Sequence, residues 1–214
     1  MTRIIPVVMA CLGGIALAAQ TNSAIGFDAD PDGTPPGRFT FEAMRQDAPG
    51  SWLVRHEAAN GFLVHTPEAS QTGYTMAITP EAPVADLSLS VRMRLSGGER
   101  AGGLVWRYQD PSNFYAAILD LSRGALFLSM ARNGNLITLE SEDDLELDPE
   151  AWHTLRVMQS GDTVYVWLGG IRVFDERDER LARSFGAGRL GLIVTGSSSV
   201  SFDDLRLAPP RSRR

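Results

Sequence analysis

Lysine is absent from this 214-residue chain, and all 20 of its basic residues are arginine. That excludes Schiff-base catalysis and a lysine-dependent phosphate loop. Cysteine occurs once, at Cys11, so neither an internal disulfide nor a cysteine-based zinc site can form. Histidine is scarce: His56, His65 and His153 are the whole supply. Acidic residues outnumber basic ones by 26 to 20, and the resulting net charge of -6 disfavours a nucleic-acid partner. Outside the first 24 residues no apolar run is long enough to cross a bilayer, so no membrane span is expected in the mature chain.

The first 24 residues read as a signal peptide. Arg3 supplies a short positive start, and Ile4–Ala19 is apolar apart from breaks at Pro6 and Gly13-Gly14. Ala16-Leu17-Ala18 fits the small-x-small cleavage pattern, and Ala24 offers a later cut. Lipidation at Cys11 is disfavoured, because the residues after it stay apolar. The expected location is extracytoplasmic, periplasmic or secreted.

Nearly everything beyond residue 38 alternates with period two. Leu87, Leu89, Val91, Met93 and Leu95 face one way, and Ser88, Ser90, Arg92 and Arg94 the other, as in a half-buried strand. Gly169-Gly170 joins two such runs as a tight hairpin, and Asn60-Gly61 gives the same signal between Trp52–Glu57 and Phe62–Thr66. A dozen short strands separated by turn clusters, with only Glu176–Ser184 carrying a helical pattern, argue an all-β, two-sheet antiparallel jelly-roll sandwich over residues 25–207. Residues 208–214 form a basic, frayed tail. The expected core includes Leu89, Val91, Met93, Val105, Leu155, Val157, Val164, Val166, Leu168, Val173, Leu192 and Val194, with Trp152 mostly buried. The last strand is expected beside the first, near Ile25–Asp28 or Phe39–Phe41.

Several stretches together carry a family resemblance: Ala101–Tyr108 with Asp110-Pro111 and Asn113–Tyr115, Trp152–Val157, Val164–Gly169, Gly188–Leu192 and Phe202–Leu205. Their order resembles the concanavalin A-like, laminin-G-like jelly rolls, closest to the bacterial 3-keto-disaccharide hydrolase-like domain. The resemblance implies a fold that hosts lectins, hydrolases and inert modules alike. A secreted, non-catalytic carbohydrate-binding module is therefore expected. The alternatives are a glycoside hydrolase of that family type and a structural module for protein contacts. No catalytic residue is assigned, because no convergent acid/base pair is found among Asp120, Glu140 and Asp162.

The expected ligand site follows from the second hairpin. Val164, Val166, Leu168, Ile171 and Val173 make an aliphatic face that belongs to the core. Trp167 then pairs with Arg172, and Tyr165 with Phe174, on the opposite face. Large aromatics beside an arginine suit a sugar, whose C–H face stacks on the rings while the guanidinium bonds its oxygens. Arg107 and Tyr115 are expected on the same sheet, and an acidic glycan is the first-choice ligand. No cofactor is expected beyond a structural calcium site at Asp28 with Asp203, where Asp28-Ala29-Asp30-Pro31-Asp32-Gly33 begins like a calcium loop but lacks its closing glutamate. A two-residue Asn60-Gly61 turn would also set His56 opposite His65. Glu146-Leu147-Asp148-Pro149-Glu150 reads as a solvated loop, since proline breaks a carboxylate-bearing strand there.

Overall fold

In the computed structural model, residues 22–45, 48–68, 72–177, 181 and 184–210 are described. Nearly all of the expected signal peptide, and positions 211–214 of the expected tail, lie outside the described residues. Two antiparallel sheets stack face to face. The first runs β13 (Ile171–Arg177), β12 (Thr163–Leu168), β11 (His153–Ser160), β6 (Leu87–Gly97), β15 (Ser199–Ala208), β4 (Asn60–Thr66), β3 (Ser51–Glu57), and β1 (Ser23–Ile25) also pairs with β15. The second runs β10 (Asn135–Glu142), β9 (Ala125–Arg132), β8 (Asn113–Asp120), β7 (Ala101–Asp110), β14 (Arg189–Thr195), β5 (Tyr74–Ile78), β2 (Thr40–Met44). This is the jelly-roll sandwich that the period-two pattern predicts.

The register follows burial. On β6, Leu87, Leu89, Val91, Met93 and Leu95 all point into the space between the sheets, while the serines and arginines between them face outward. The chain ends meet as expected: Ser23, Ala24 and Ile25 pair with Leu207, Arg206 and Leu205. Residues 40 and 41 instead pair with β5 in the second sheet. β15 therefore borders β6 on one side and both β4 and β1 on the other, which closes the first sheet around the last strand.

The Gly169-Gly170 hairpin forms as read, with Leu168 opposite Ile171 and both glycines at positive φ. A bulge after Val166 then changes the pairing: Trp167 does face Arg172, but Tyr165 faces Asp175, and Phe174 turns into the core opposite Val166. Ile171 leaves the expected aliphatic face altogether and is 75% exposed at the turn, and Val173 is only half-buried.

The other hairpin corrects its glycine reading. Glu57 faces Asn60, so Ala58-Ala59 form the tip and Ala58 takes the positive φ. Gly61 is required for packing, because a Cβ there would stand 2.4 Å from the Phe27 carbonyl oxygen. The two-residue shift sets Trp52 opposite His65, and His56 opposite Gly61, so the two imidazoles never meet.

Trp152 is mostly buried as expected, but on the outer face of the first sheet and not between the sheets, edge-on to Phe62 at 5.8 Å. The buried indoles are Trp52 and Trp106. Val105 is buried as expected, but in a second apolar cluster on the outer face of the second sheet, with Met76, Ile78, Ala116, Ile118 and Ile193.

Candidate functional site

Small residues on the outer face of the second sheet open a cleft. Ala101 begins β7, Ala116 and Ile118 follow on β8, and Gly103 lies opposite Ile118. At Gly103 a Cβ would collide with the Ala117 carbonyl, so Ala101 and Gly103, two apart on β7, keep this face low. Taller neighbours stand around the hollow. The resulting cleft has a volume of 290 Å³.

Its wall is amphipathic. Tyr74, Phe127, Leu136 and Ile118 supply apolar surface, while Ser129, Thr138, Thr195, Glu99, Asp120 and Arg123 supply polar groups. Ser129 and Thr138 are direct cross-strand partners. Ser129 is only 1% exposed, yet its hydroxyl has no hydrogen-bond partner among the described residues. The side chains of Tyr74, Thr138, Glu99 and Arg123 likewise make no hydrogen bond or ion pair among the described residues. The Arg123 guanidinium lies 5.0 Å over the Phe127 ring, which holds it at the rim without a counter-charge. Asp120 caps the β8–β9 turn, with Oδ1 accepting from Ser122 Oγ at 2.7 Å and from the Arg123 backbone N–H at 3.1 Å. A polar group left unsatisfied costs free energy when its water is removed, so this set suits a ligand rich in hydroxyls.

The sequence-derived site is divided by the structure. Tyr165, Trp167 and Arg172 do share the outer face of the first sheet, with the two rings 5.8 Å apart and Arg172 5.7 Å over Tyr165. Arg107 and Tyr115 belong to the second sheet and are buried. Tyr115 packs inward between Trp106 and Phe185, with ring centroids 5.9 and 5.1 Å away. Arg107 sits in a bulge at φ 46°, which turns its side chain into one end of the sandwich. There it donates to the carbonyls of Ala85 at 2.8 Å, Leu181 at 2.6 Å, Phe185 at 3.1 Å and Gly161 at 3.3 Å, and pairs with Asp86 at 3.4 Å. Burial pushes its pKa below the usual arginine value, while Asp86 pulls it back up. Its role there is to bind loops together. The Glu176–Ser184 segment, where described, puts Leu181 into the core at that end, Phe185 just after it joins the same core, and β13 continues to Arg177.

Asp28 and Asp203 approach the same hairpin but serve it as caps. Asp28 Oδ1 accepts the Gly61 N–H at 2.7 Å, and Asp203 accepts from the Asp204 N–H at 2.7 Å and from the Asn60 side chain. Burial holds the Asp203 carboxyl above its ordinary pKa, which disfavours the charged form a cation would need. Among the described residues no group of three or more His, Cys, Asp or Glu is placed to hold a metal ion. The cleft residues escaped the sequence reading because they come from six separate strands and turns; Asp120 alone was weighed, as a catalytic acid.

Fold and cleft together define an antiparallel jelly roll with a solvent-facing hollow on one sheet. Residues 30–208 match the family model described as the 3-keto-alpha-glucoside-1,2-lyase-like domain, and the chain belongs to that family. No curated protein matches it in sequence. Among solved structures, the carbohydrate binding module CBM66 from Bacillus subtilis superimposes with a TM-score of 0.61 at 18% identity, covering 80% of this chain and 98% of that one. A galectin-like protein of unknown function from Bacillus subtilis gives 0.57 at 11% identity, covering 81% and 90%. A β-1,3-1,4-glucanase (lichenase) from a mouse hindgut metagenome gives 0.57 at 13%, covering 89% and 100%. At these identities the likeness is one of fold.

Proposed function

We propose that this domain binds a saccharide in the cleft of the second sheet, outside the cytoplasm and without turning it over. One observation carries the reading: unpaired hydroxyl, carboxylate and guanidinium groups converge with two aromatic rings on one sugar-sized hollow. Ser129 and Thr138 reach the ring hydroxyls from the floor, Phe127 and Tyr74 take a C–H face, and Arg123 bonds oxygens at the rim. Membership of a sugar-acting family and the likeness to a carbohydrate binding module support it. The test is a glycan array with wild-type protein and Ser129→Val. Binding that the variant loses while keeping its melting temperature supports the reading; equal binding by both moves the site elsewhere.

A second reading is favoured by Glu99 and Asp120, two carboxylates on the same rim. The family description names a 1,2-lyase for 3-keto glucosides. There a base takes the C2 proton, acidified by the neighbouring ketone; its electron pair forms the C1=C2 bond, and the C1–O bond breaks with the leaving oxygen keeping its pair. A screen for turnover of native and 3-keto disaccharides separates the readings, since binding alone yields no product.

A further inference from the structure

The outer face of the first sheet, on the far side of the sandwich from the cleft, carries two guanidinium–indole stacks. In one, Arg156 lies 4.7 Å over Trp167, which adjoins Tyr165, while Arg172 sits opposite Trp167 in the ladder. In the other, Arg92 and Arg94 lie 5.2 and 5.1 Å over Trp152. Both indoles are partly exposed. Trp152 precedes Arg156 by four residues, so the stacks are offset by roughly 13 Å along β11 at strand spacing. A sheet exposed to water needs neither rings nor stacked arginines on its outer face.

The charge of this face opposes that of the chain. Arg94 pairs with Glu57 at 2.8 Å and Arg172 with Asp175 at 3.0 Å, while Arg92 and Arg206 share the single carboxylate of Asp204 at 3.2 and 2.8 Å. Among the described residues Arg156 has no carboxylate partner; its Nε donates to Ser88 Oγ at 3.2 Å. With Asp203 counted, these five arginines meet four carboxylates. The face is thus left with surplus positive charge on a protein whose net charge is -6.

We propose that this face is a second binding surface, for an extended anionic polysaccharide whose carboxylates meet Arg156 and its neighbours and whose rings lie along the two indoles. Flat rings set apart along a strand suit a chain of sugar rings, and surplus cationic charge selects uronate-type units over neutral ones.

The test is gel electrophoresis of the folded protein through native gels containing polygalacturonate or, separately, dextran. Polygalacturonate is expected to retard the protein, with dextran causing none, and added salt should weaken the effect. Because the chain itself is acidic, general charge repulsion opposes binding, so retardation reports the local arginine-bearing face. Arg156→Gln and Trp167→Ala should each reduce it at least fivefold with an unchanged melting temperature, and Ser129→Val in the cleft should leave it intact. Should Trp167→Ala fail to fold, Arg156→Gln carries the test alone. Equal retardation in dextran, none in polygalacturonate, or full retardation of Arg156→Gln overturns the proposal, whatever the cleft binds.

Discussion

The imidazole of His65 meets the carbonyl oxygen of Ser198 at 3.0 Å through Nδ1, and its buried Nε2 has no hydrogen-bond partner among the described residues. A carbonyl only accepts, so Nδ1 carries a proton, and the burial of Nε2 disfavours a second one. His65 is 0% exposed and lies 4.8 Å from the Trp52 ring. Burial drives its pKa below 6.5, against the weaker pull of the Ser198 and Pro49 carbonyls. Below pH 6.5 the unfolded chain therefore binds a proton at this residue that the folded chain resists. Stability is full above 6.5 and falls as pH drops from there toward the lowered folded value, by at most about 1.4 kcal/mol per pH unit. Urea melts of wild type and His65→Gln between pH 7.5 and 5 should show a shallower pH slope in the variant. Parallel slopes would mean that His65 does not titrate in that window.

Arg107 joins the β5–β6 loop, the β11–β12 turn and the Leu181–Phe185 segment through one buried guanidinium. Arg107→Met keeps the stem but leaves several carbonyls without donors. It should cost about 3 kcal/mol in chemical denaturation. A loss below about 1 kcal/mol would show that water replaces the guanidinium cheaply.

Val166 and Ile171 lie on one hairpin and meet opposite surroundings, at 0% and 75% exposure. Val166→Ala should destabilise by roughly 1–3 kcal/mol through lost burial and a cavity. Ile171→Ala should stay within about 0.5 kcal/mol of wild type. Similar losses at both positions would contradict the register after the bulge.

Much of this hairpin was legible because β strands write their burial into every second residue. The Gly169-Gly170 tip and the Trp167–Arg172 pair follow from that alternation. The bulge after Val166 does not, since an inserted residue changes the phase without changing the residue types, and so Phe174 and Tyr165 part company. Asn60-Gly61 misled for another reason: the glycine answers a close approach by the Phe27 backbone, which is distant in sequence. Trp152 resembled a core residue by type alone, whereas cross-strand contacts with Phe62, Arg92 and Arg94 place it outside. The cleft was the least legible part, since a small residue such as Ala101 in its lining marks a gap only through what its neighbours in space are. The order of strands in space alone brings Ser129, Thr138 and Tyr74 around that gap.

Strand β1 bears on where the expected signal peptide would be cut. It holds Ser23 and Ala24, and Ser23 Oγ donates to Glu81 at 2.9 Å. A cut after Ala18 preserves this strand, whereas a cut after Ala24 removes two of its three residues. A chain beginning at residue 19 should therefore melt several degrees above one beginning at 25. Equal melting temperatures would show that β1 contributes nothing to closing the sheet at β15.

The central claim is that the cleft of the second sheet receives a sugar. The direct measurement is amide and methyl NMR of the labelled protein during titration with the saccharide that scores highest on the array. The account predicts saturable shifts clustered at Tyr74, Ile118, Phe127, Ser129 and Thr138, lost in Ser129→Val. Shifts confined to other surfaces, with these five unmoved at saturation, would contradict it.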